Sequence, residues 1–318
     1  MAAFSITRFM RILALLMTLL FAGTALAQTP LKVGFLRTYA MLPLYQAVEK
    51  GYFTARGLDV ELVTLNNGPA VASAIQSGFL DVGYAALEPI AAARSRGQDF
   101  KFFAATSYET AAAPITLYVA SRRAGVRDFR DIAGKTVAIN AAGGGCELGA
   151  QDHADAAGVA PRDIKFVVIP FPQMQAALEL GSADVVCTVD PFYSAIMASA
   201  KIGAHAAAVG PVANMGDQRV MVDGFFAREG WLQTRAATAA AFTAALEQGA
   251  RDLQADPALI PQLLMSTLRF PEAVAKAVKF TPVTDMRVNT ADLVPLIDAM
   301  KRRQFIDTDF APDTLRFP

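Results

Sequence analysis

Residues Ala177–Phe192 read ALELGSADVVCTVDPF: the last turn of a helix, a glycine stop, a short strand and a new helix start. Gly181 stands where a helix C-terminus takes a positive φ. Val185, Val186 and Val189 form a β-branched run that suits a strand covered on both faces. Asp190-Pro191 then reads as an N-cap followed by a first-turn proline. Far upstream the chain nearly repeats itself, because Ala74–Ile90 reads AIQSGFLDVGYAALEPI. Both stretches share an alanine, an aliphatic, two variable residues, glycine and then Asp-Val at one offset. Both end on a carboxylate followed by proline. One α/β unit written twice implies two similar lobes.

The rest of the chain fills in those lobes. Leu31–Leu36 and Leu58–Leu65 read as strands, with a helix opened by Pro43 and ended by Gly51 between them. A helix over Ala70–Ser77, the strand Asp81–Tyr84, a helix from Pro89 and the strand Phe100–Ala104 complete the first series. Ile115–Ala120 is a strand that leaves this lobe. A second series then runs from Lys135–Asn140 through a helix near Cys146, the strand Lys165–Ile169, a helix from Pro172, the strand Val185–Val189 and a helix from Pro191. Arg219–Phe226 (RVMVDGFF) is an apolar segment that crosses back. From Trp231 onward the pattern is helical, broken at Pro257, Pro261, Pro271 and Pro295. Alternating strands and helices at this spacing predict parallel sheets. The division is 28–118 with 219–318 as one lobe and 119–218 as the other, joined by two crossing segments that act as a hinge.

Residues 1–27 read as a segment outside the fold. Arg8 and Arg11 precede the apolar run Ile12–Ala22, and Ala25-Leu26-Ala27 is a small-x-small site, so a secretory signal cleaved after Ala27 is expected. The run is short of the roughly twenty residues that span a bilayer. Cleavage removes two of the 29 basic residues and none of the 29 acidic ones, leaving a net charge of about −2. No basic stripe suits a nucleic-acid backbone. Cys146 and Cys187 then lie in an oxidising compartment. A bridge between them is conceivable, since Lys135–Asn140 would neighbour the strand carrying Cys187, but two buried thiols are the expectation. His153 and His205 have no metal-type partners, and His153 is expected on a solvated helix face.

An exported two-lobe chain carrying LKVGFL…PLYQAVEKGYFTARGLDVELV…ALEPIAAA resembles the substrate-binding proteins of bacterial ABC importers. It is most similar to their nitrate/sulfonate/taurine and thiamine-pyrimidine-precursor group. The likeness rests also on Lys50–Val60, on DIAGKTVAIN (Asp131–Asn140) and on the turn Asp190-Pro191-Phe192, and it covers the whole mature chain. It implies the type II periplasmic-binding-protein fold, with each lobe a parallel-rich sheet flanked by helices and a helical C-terminal tail on lobe one. It also implies capture of a small molecule between the lobes and delivery to an inner-membrane ABC permease, by a periplasmic monomer.

In open parallel sheets, ligands lie beyond the carboxyl ends of the strands, where helix N-termini converge. The candidate ligand contacts on those turns are Arg37, Thr38, Tyr39, Asn67, Gly68, Tyr84 and Glu88 in the first lobe. In the second they are Gly144, Gly145, Cys146, Glu147, Gln173, Thr188, Asp190 and Phe192. If the lobes close as the family's do, these turns face each other. The run Gly143-Gly144-Gly145 offers backbone N–H groups at a helix start, although no Lys-Ser/Thr follows to make a P-loop. Asp before proline is a favoured cap, whereas Glu is a poor one, so Glu88 is the stronger ligand contact. A carboxylate from Glu88 or Glu147 in the cleft would call for a cationic or N–H-rich ligand. Arg37 either holds a carboxylate or sulfonate or stays solvated. Tyr39, Tyr84, Phe171 and Phe192 could supply ring faces.

No G-x-S-x-G, triad pattern or metal set is present, and no cofactor is expected, which favours binding without catalysis. The related pyrimidine-precursor synthases carry a cysteine-rich cluster, and the counterpart region here has only Cys146. A periplasmic sensor is the other alternative. The expected ligand is a small polar organic molecule, nitrogen-bearing or heterocyclic ahead of an alkylsulfonate.

Overall fold

Period-two alternation in Thr29–Phe35 (β1) and Leu58–Thr64 (β2) sets them side by side in a parallel ladder, with Val33 opposite Leu62. The chain, a computed structural model, is described over residues 28–213 and 216–318. The expected signal peptide, residues 1–27, lies outside the described residues. Leu42–Glu49 (α1) joins β1 to β2, with Pro43 in its first turn. Next come Gly68–Gln76 (α2), Val82–Ala86 (β3), Leu87–Ser95 (α3) and Phe100–Glu109 (β4).

The second series is Leu117–Ala120 (β5), Thr136–Ile139 (β6), Gly145–Ala156 (α4), Lys165–Val168 (β7), Met174–Leu180 (α5), Val185–Thr188 (β8), Phe192–Ala198 (α6) and His205–Val209 (β9). Val220–Arg228 (β10) returns to the first sheet. The chain then continues through Glu229–Thr234 (α7), Ala236–Ala255 (α8), Leu259–Ser266 (α9), Glu272–Ala277 (α10) and Thr290–Arg302 (α11). Pro295 lies inside α11 instead of breaking it.

The strand orders are β2-β1-β3-β10-β4 and β7-β6-β8-β5-β9. They have the same plan, so the repeat read in α2–β3–α3 and α5–β8–α6 is a structural repeat. Gly181 ends α5 at φ 77°, and β8 is buried along its whole length. Neither sheet is wholly parallel. In the fourth place of each stands an antiparallel strand, β10 beside β3 and β4, β5 beside β8 and β9. These two strands bring the chain into each sheet from the other, and their direction follows from that entry. All of β5 pairs in the second sheet, so the expected division at 118/119 falls inside it and the first crossing occupies residues 110–116.

Rings fill the first sheet's core. Phe226 packs edge-on against Phe100 at 5.3 Å, and Phe225 meets Phe242 of α8 at 5.0 Å. The C-terminal helices cover this sheet, and the chain end is tied to β4 by Phe317 N–H donating to the Phe102 carbonyl at 2.7 Å. His153 is not solvated: it is half-buried edge-on to Tyr118, with Nε2 3.0 Å from the Gly210 carbonyl. The helix face that bears it packs on β5, and burial lowers its pKa.

Candidate functional site

The two sheets face each other across a cavity of about 80 Å³. Its floor is made where the crossings run: β10 brings Val222 and Asp223, and the segment before β5 brings Ile115 and Thr116. From the first lobe come Thr38, Tyr39, Gly68 and Glu88, beyond the ends of parallel strands, and Tyr84 from the middle of β3. From the second come Asn140, Gly144, Gly145, Cys146 and Phe171.

Two helices point their N-termini at this space. Glu88 is in the first turn of α3, and Gly145 opens α4 opposite it. A Cβ on residue 145 would lie 2.5 Å from Glu88 Oε1, so glycine admits this approach without displacing the carboxyl. The Glu88 side chain is 2% exposed, and its Oε2 has no hydrogen-bond partner among the described residues. Burial pushes its carboxyl up to about 7; its own backbone N–H opposes this, and the Asp223 carboxylate adds to it.

Asp223 is held differently. The Tyr84 hydroxyl donates to Oδ2 at 2.8 Å and the Thr106 hydroxyl to Oδ1 at 2.5 Å. Burial raises its pKa against these bonds. Behind it, Glu109 at the end of β4 accepts from the Ile115 and Thr116 N–H groups, at 2.7 and 3.0 Å, and from the Thr116 hydroxyl at 3.0 Å. It thereby pins the first crossing to the first sheet, and burial again pushes its carboxyl up to about 7. Tyr39, buried near Asp223, Glu109 and Asp190, is raised well above the usual tyrosine range, mainly by burial.

Cys146 and Cys187 form a disulfide, with Cα atoms 5.6 Å apart. This corrects the expectation of two thiols. Because β6 pairs with β8, the first turn of α4, just past β6, comes down on Cys187. The bridge anchors the glycine turn beside Glu88.

A family model described as NMT1/THI5 like matches residues 39–259, more than two thirds of the chain. The protein belongs to the NMT1/THI5-like family. Many solved structures share its fold, two of them as follows. The alkanesulfonate-binding protein SsuA from Xanthomonas axonopodis pv. citri, bound to MOPS, superposes with TM-score 0.77 at 18% identity, covering 92% of this chain and 99% of that one. The periplasmic nitrate-binding protein NrtA from Synechocystis PCC 6803 gives TM-score 0.71 at 16% identity, covering 90% and 84%. At such identities the likeness is one of fold. A curated relative, the 4-amino-5-hydroxymethyl-2-methylpyrimidine phosphate synthase of Schizosaccharomyces pombe, is 30% identical over 122 residues. That alignment takes in 38% of this chain and spans only about a third (34%) of the synthase.

In this NMT1/THI5-like protein, several sequence candidates lie away from the cavity. Arg37 is exposed, and its Nη2 donates to the Thr267 carbonyl at 3.2 Å. Together with Phe192 it borders a separate, open groove of about 800 Å³ that Phe171 divides from the cavity. Phe192 stacks on Phe171 at 6.0 Å and meets Phe270 edge-on at 5.6 Å. Glu147 turns back on its own turn, accepting from Gly143 N–H at 2.8 Å. Asn67 caps α2 by accepting from Ala70 N–H, and Asp190 accepts from Ser194 N–H and hydroxyl. Gln173 is exposed, and Thr188 is fully buried within β8, outside the lining. Glu147, Asn67 and Asp190 were within reach of nearby backbone N–H groups, and the local bond won.

Asp223, Thr116 and Asn140 escaped the sequence reading. Asp223 is the one acid in an apolar run, RVMVDGFF, and that interruption was the available signal.

The lobes also touch outside the cavity. Tyr39 N–H donates to the Asp190 carbonyl at 3.3 Å, and Arg303, just past α11, reaches Asp155 of α4 at 2.8 Å.

Proposed function

We propose that this protein is the solute-binding component of an ABC-type importer. It captures a small polar, nitrogen-bearing or heterocyclic molecule between the two lobes and passes it to an inner-membrane permease. The observation that carries this reading is the unpartnered Glu88 Oε2 in the interlobe cavity. A buried acceptor left without a donor is costly, so the missing donor belongs to a ligand. Once ionised, above about pH 7, this carboxylate would oppose an oxyanion 4 Å away by about 4 kcal/mol at an effective dielectric of 20, which argues against nitrate or a simple sulfonate there.

Thr38, Tyr39, Gly68, Tyr84, Glu88, Gly144, Gly145 and Cys146 are the ligand contacts in this reading, joined by Asp223. The protein acts as a monomer in the periplasm after cleavage at Ala27. The disulfide supports that compartment, because such bonds persist where the milieu is oxidising. Among the described residues no helix is long and apolar enough to cross a membrane.

A thermal-shift screen of nitrogen heterocycles, amines, sulfonates, carboxylates and nitrate tests the reading. A binder present at a hundred times its Kd adds about 2.7 kcal/mol. Stabilisation by nitrogen-bearing compounds is the expected result. Stabilisation by nitrate or sulfonates alone would defeat the ligand assignment. The partial match to the fungal synthase favours a second reading, a pyrimidine-precursor enzyme on this fold. Appearance of a pyrimidine product on incubation with candidate precursors would establish it.

A further inference from the structure

The cavity lining carries charge of one sign. Glu88 and Asp223 face it, and among the described residues no lysine, arginine or histidine does. The two carboxylates are not equivalent: Asp223 is bonded to Tyr84 and Thr106, whereas Glu88 Oε2 is buried without a partner. Resting on the solute-binding reading, we propose that the site takes a compact organic cation, a protonated amine or amidine type that includes protonated amino-heterocycles, and that its entry displaces the proton of Glu88.

The groups facing Glu88 come from every side. They are Asp223 on β10, Tyr84 on β3, Tyr39 ahead of α1, Glu109 on β4, Tyr118 on β5 and the amides that open α4. Every titratable one is acidic; burial, with a smaller contribution from the Asp223 carboxylate, keeps a proton on Glu88 to about neutral pH. The exchange is balanced: the O–H bond of the Glu88 carboxyl breaks, its proton leaves to solvent, and the ligand N–H donates to the carboxylate left behind. Below about pH 7 the buried Glu88 site therefore passes from a neutral acid to a neutral ion pair without holding an unpaired charge. The helix ends at Glu88 and Gly145 favour the ionised form once its partner arrives. The cavity of about 80 Å³ corresponds to about six water-sized probes at 10–15 Å³ each, which sets the compact size.

The test uses the mature chain with acetamidinium, its neutral isostere acetamide, 4-aminopyridinium, methanesulfonate and nitrate, by thermal shift and calorimetry. At least one cation is expected to raise the melting temperature while acetamide and both anions do not. Its affinity should rise about tenfold per pH unit below pH ~7 and level off above. Measured in two buffers of different ionisation heat, binding at about pH 6 should release close to one proton. Glu88→Gln should flatten that pH dependence. Equal binding of acetamidinium and acetamide, binding of an anion alone, or binding of neither cation overturns the proposal. Any such result leaves the solute-binding reading in place if another compound of the wider screen stabilises the chain, and a screen with no binder at all removes both.

Discussion

Glu88 Oε1 and the backbone of Gly145 sit so close that a Cβ at 145 would be 2.5 Å from that oxygen. Two helix N-termini from different lobes thus meet through one carboxylate, and a side chain at residue 145 would have to displace the Glu88 carboxyl for the lobes to come together this way. Gly145→Ala should move Glu88 or part the lobes. An overpacking cost of about 1–3 kcal/mol is expected in chemical denaturation, with loss of solute-induced stabilisation. Unchanged stability and unchanged solute response would mean that the approach is not part of the working conformation.

Two buried carboxyls pushed up to about 7 make the solute-free protein sensitive to pH in an unusual direction. Between their ordinary value of 4.5 and about 7, the folded chain holds protons that the unfolded chain has lost. Stability contributed by these groups is therefore complete below pH ~4.5 and falls as pH rises through ~7, by an order of 3 kcal/mol for each. Urea denaturation at pH ~5.5 and ~8 should show the decline, and Glu88→Gln should remove part of it. A rise in stability across that interval in the wild type, with the same rise in the variant, would contradict this.

The disulfide closes a loop with a sequence separation of 41. Chain-entropy reasoning gives about 4 kcal/mol for such a loop. A mild reductant should lower the melting temperature, and the double variant Cys146→Ser with Cys187→Ser should behave as the reduced wild type does. Thiol titration of unfolded, unreduced protein should find no free thiol.

Phe226 is fully buried between Phe100 and Phe102. Phe226→Ala should cost about 3–5 kcal/mol, read as a lower urea midpoint. A loss under 1 kcal/mol would show that this ring cluster is not the core of the first lobe.

The fold was largely legible because its repeat is written in local chemistry: a glycine stop, a short apolar strand, and a carboxylate with proline. The strand β9 carries little sequence signal, because its HAAAV sequence has three alanines and a single β-branched residue, Val209. The positions of Thr38 and Glu88 followed from strand ends, which order and spacing reveal, whereas Tyr84 reaches the cavity from the middle of β3. The directions of side chains did not, so Arg37 and Glu147, equally well placed along the chain, turn elsewhere. Asp223 could not be placed before β10 was known to lie between β3 and β4, beside Tyr84. The Cys146–Cys187 pairing depends in the same way on β6 lying next to β8.

One titration bears most directly on the gripping of a single solute between the halves. With the compound that raises the melting temperature most, calorimetry at about pH 8 should give one site per chain. Glu88→Gln should weaken binding by about 1.5–3 kcal/mol, roughly ten- to more than a hundred-fold, the scale of a lost charged hydrogen bond. An unchanged Kd in the variant would contradict the account.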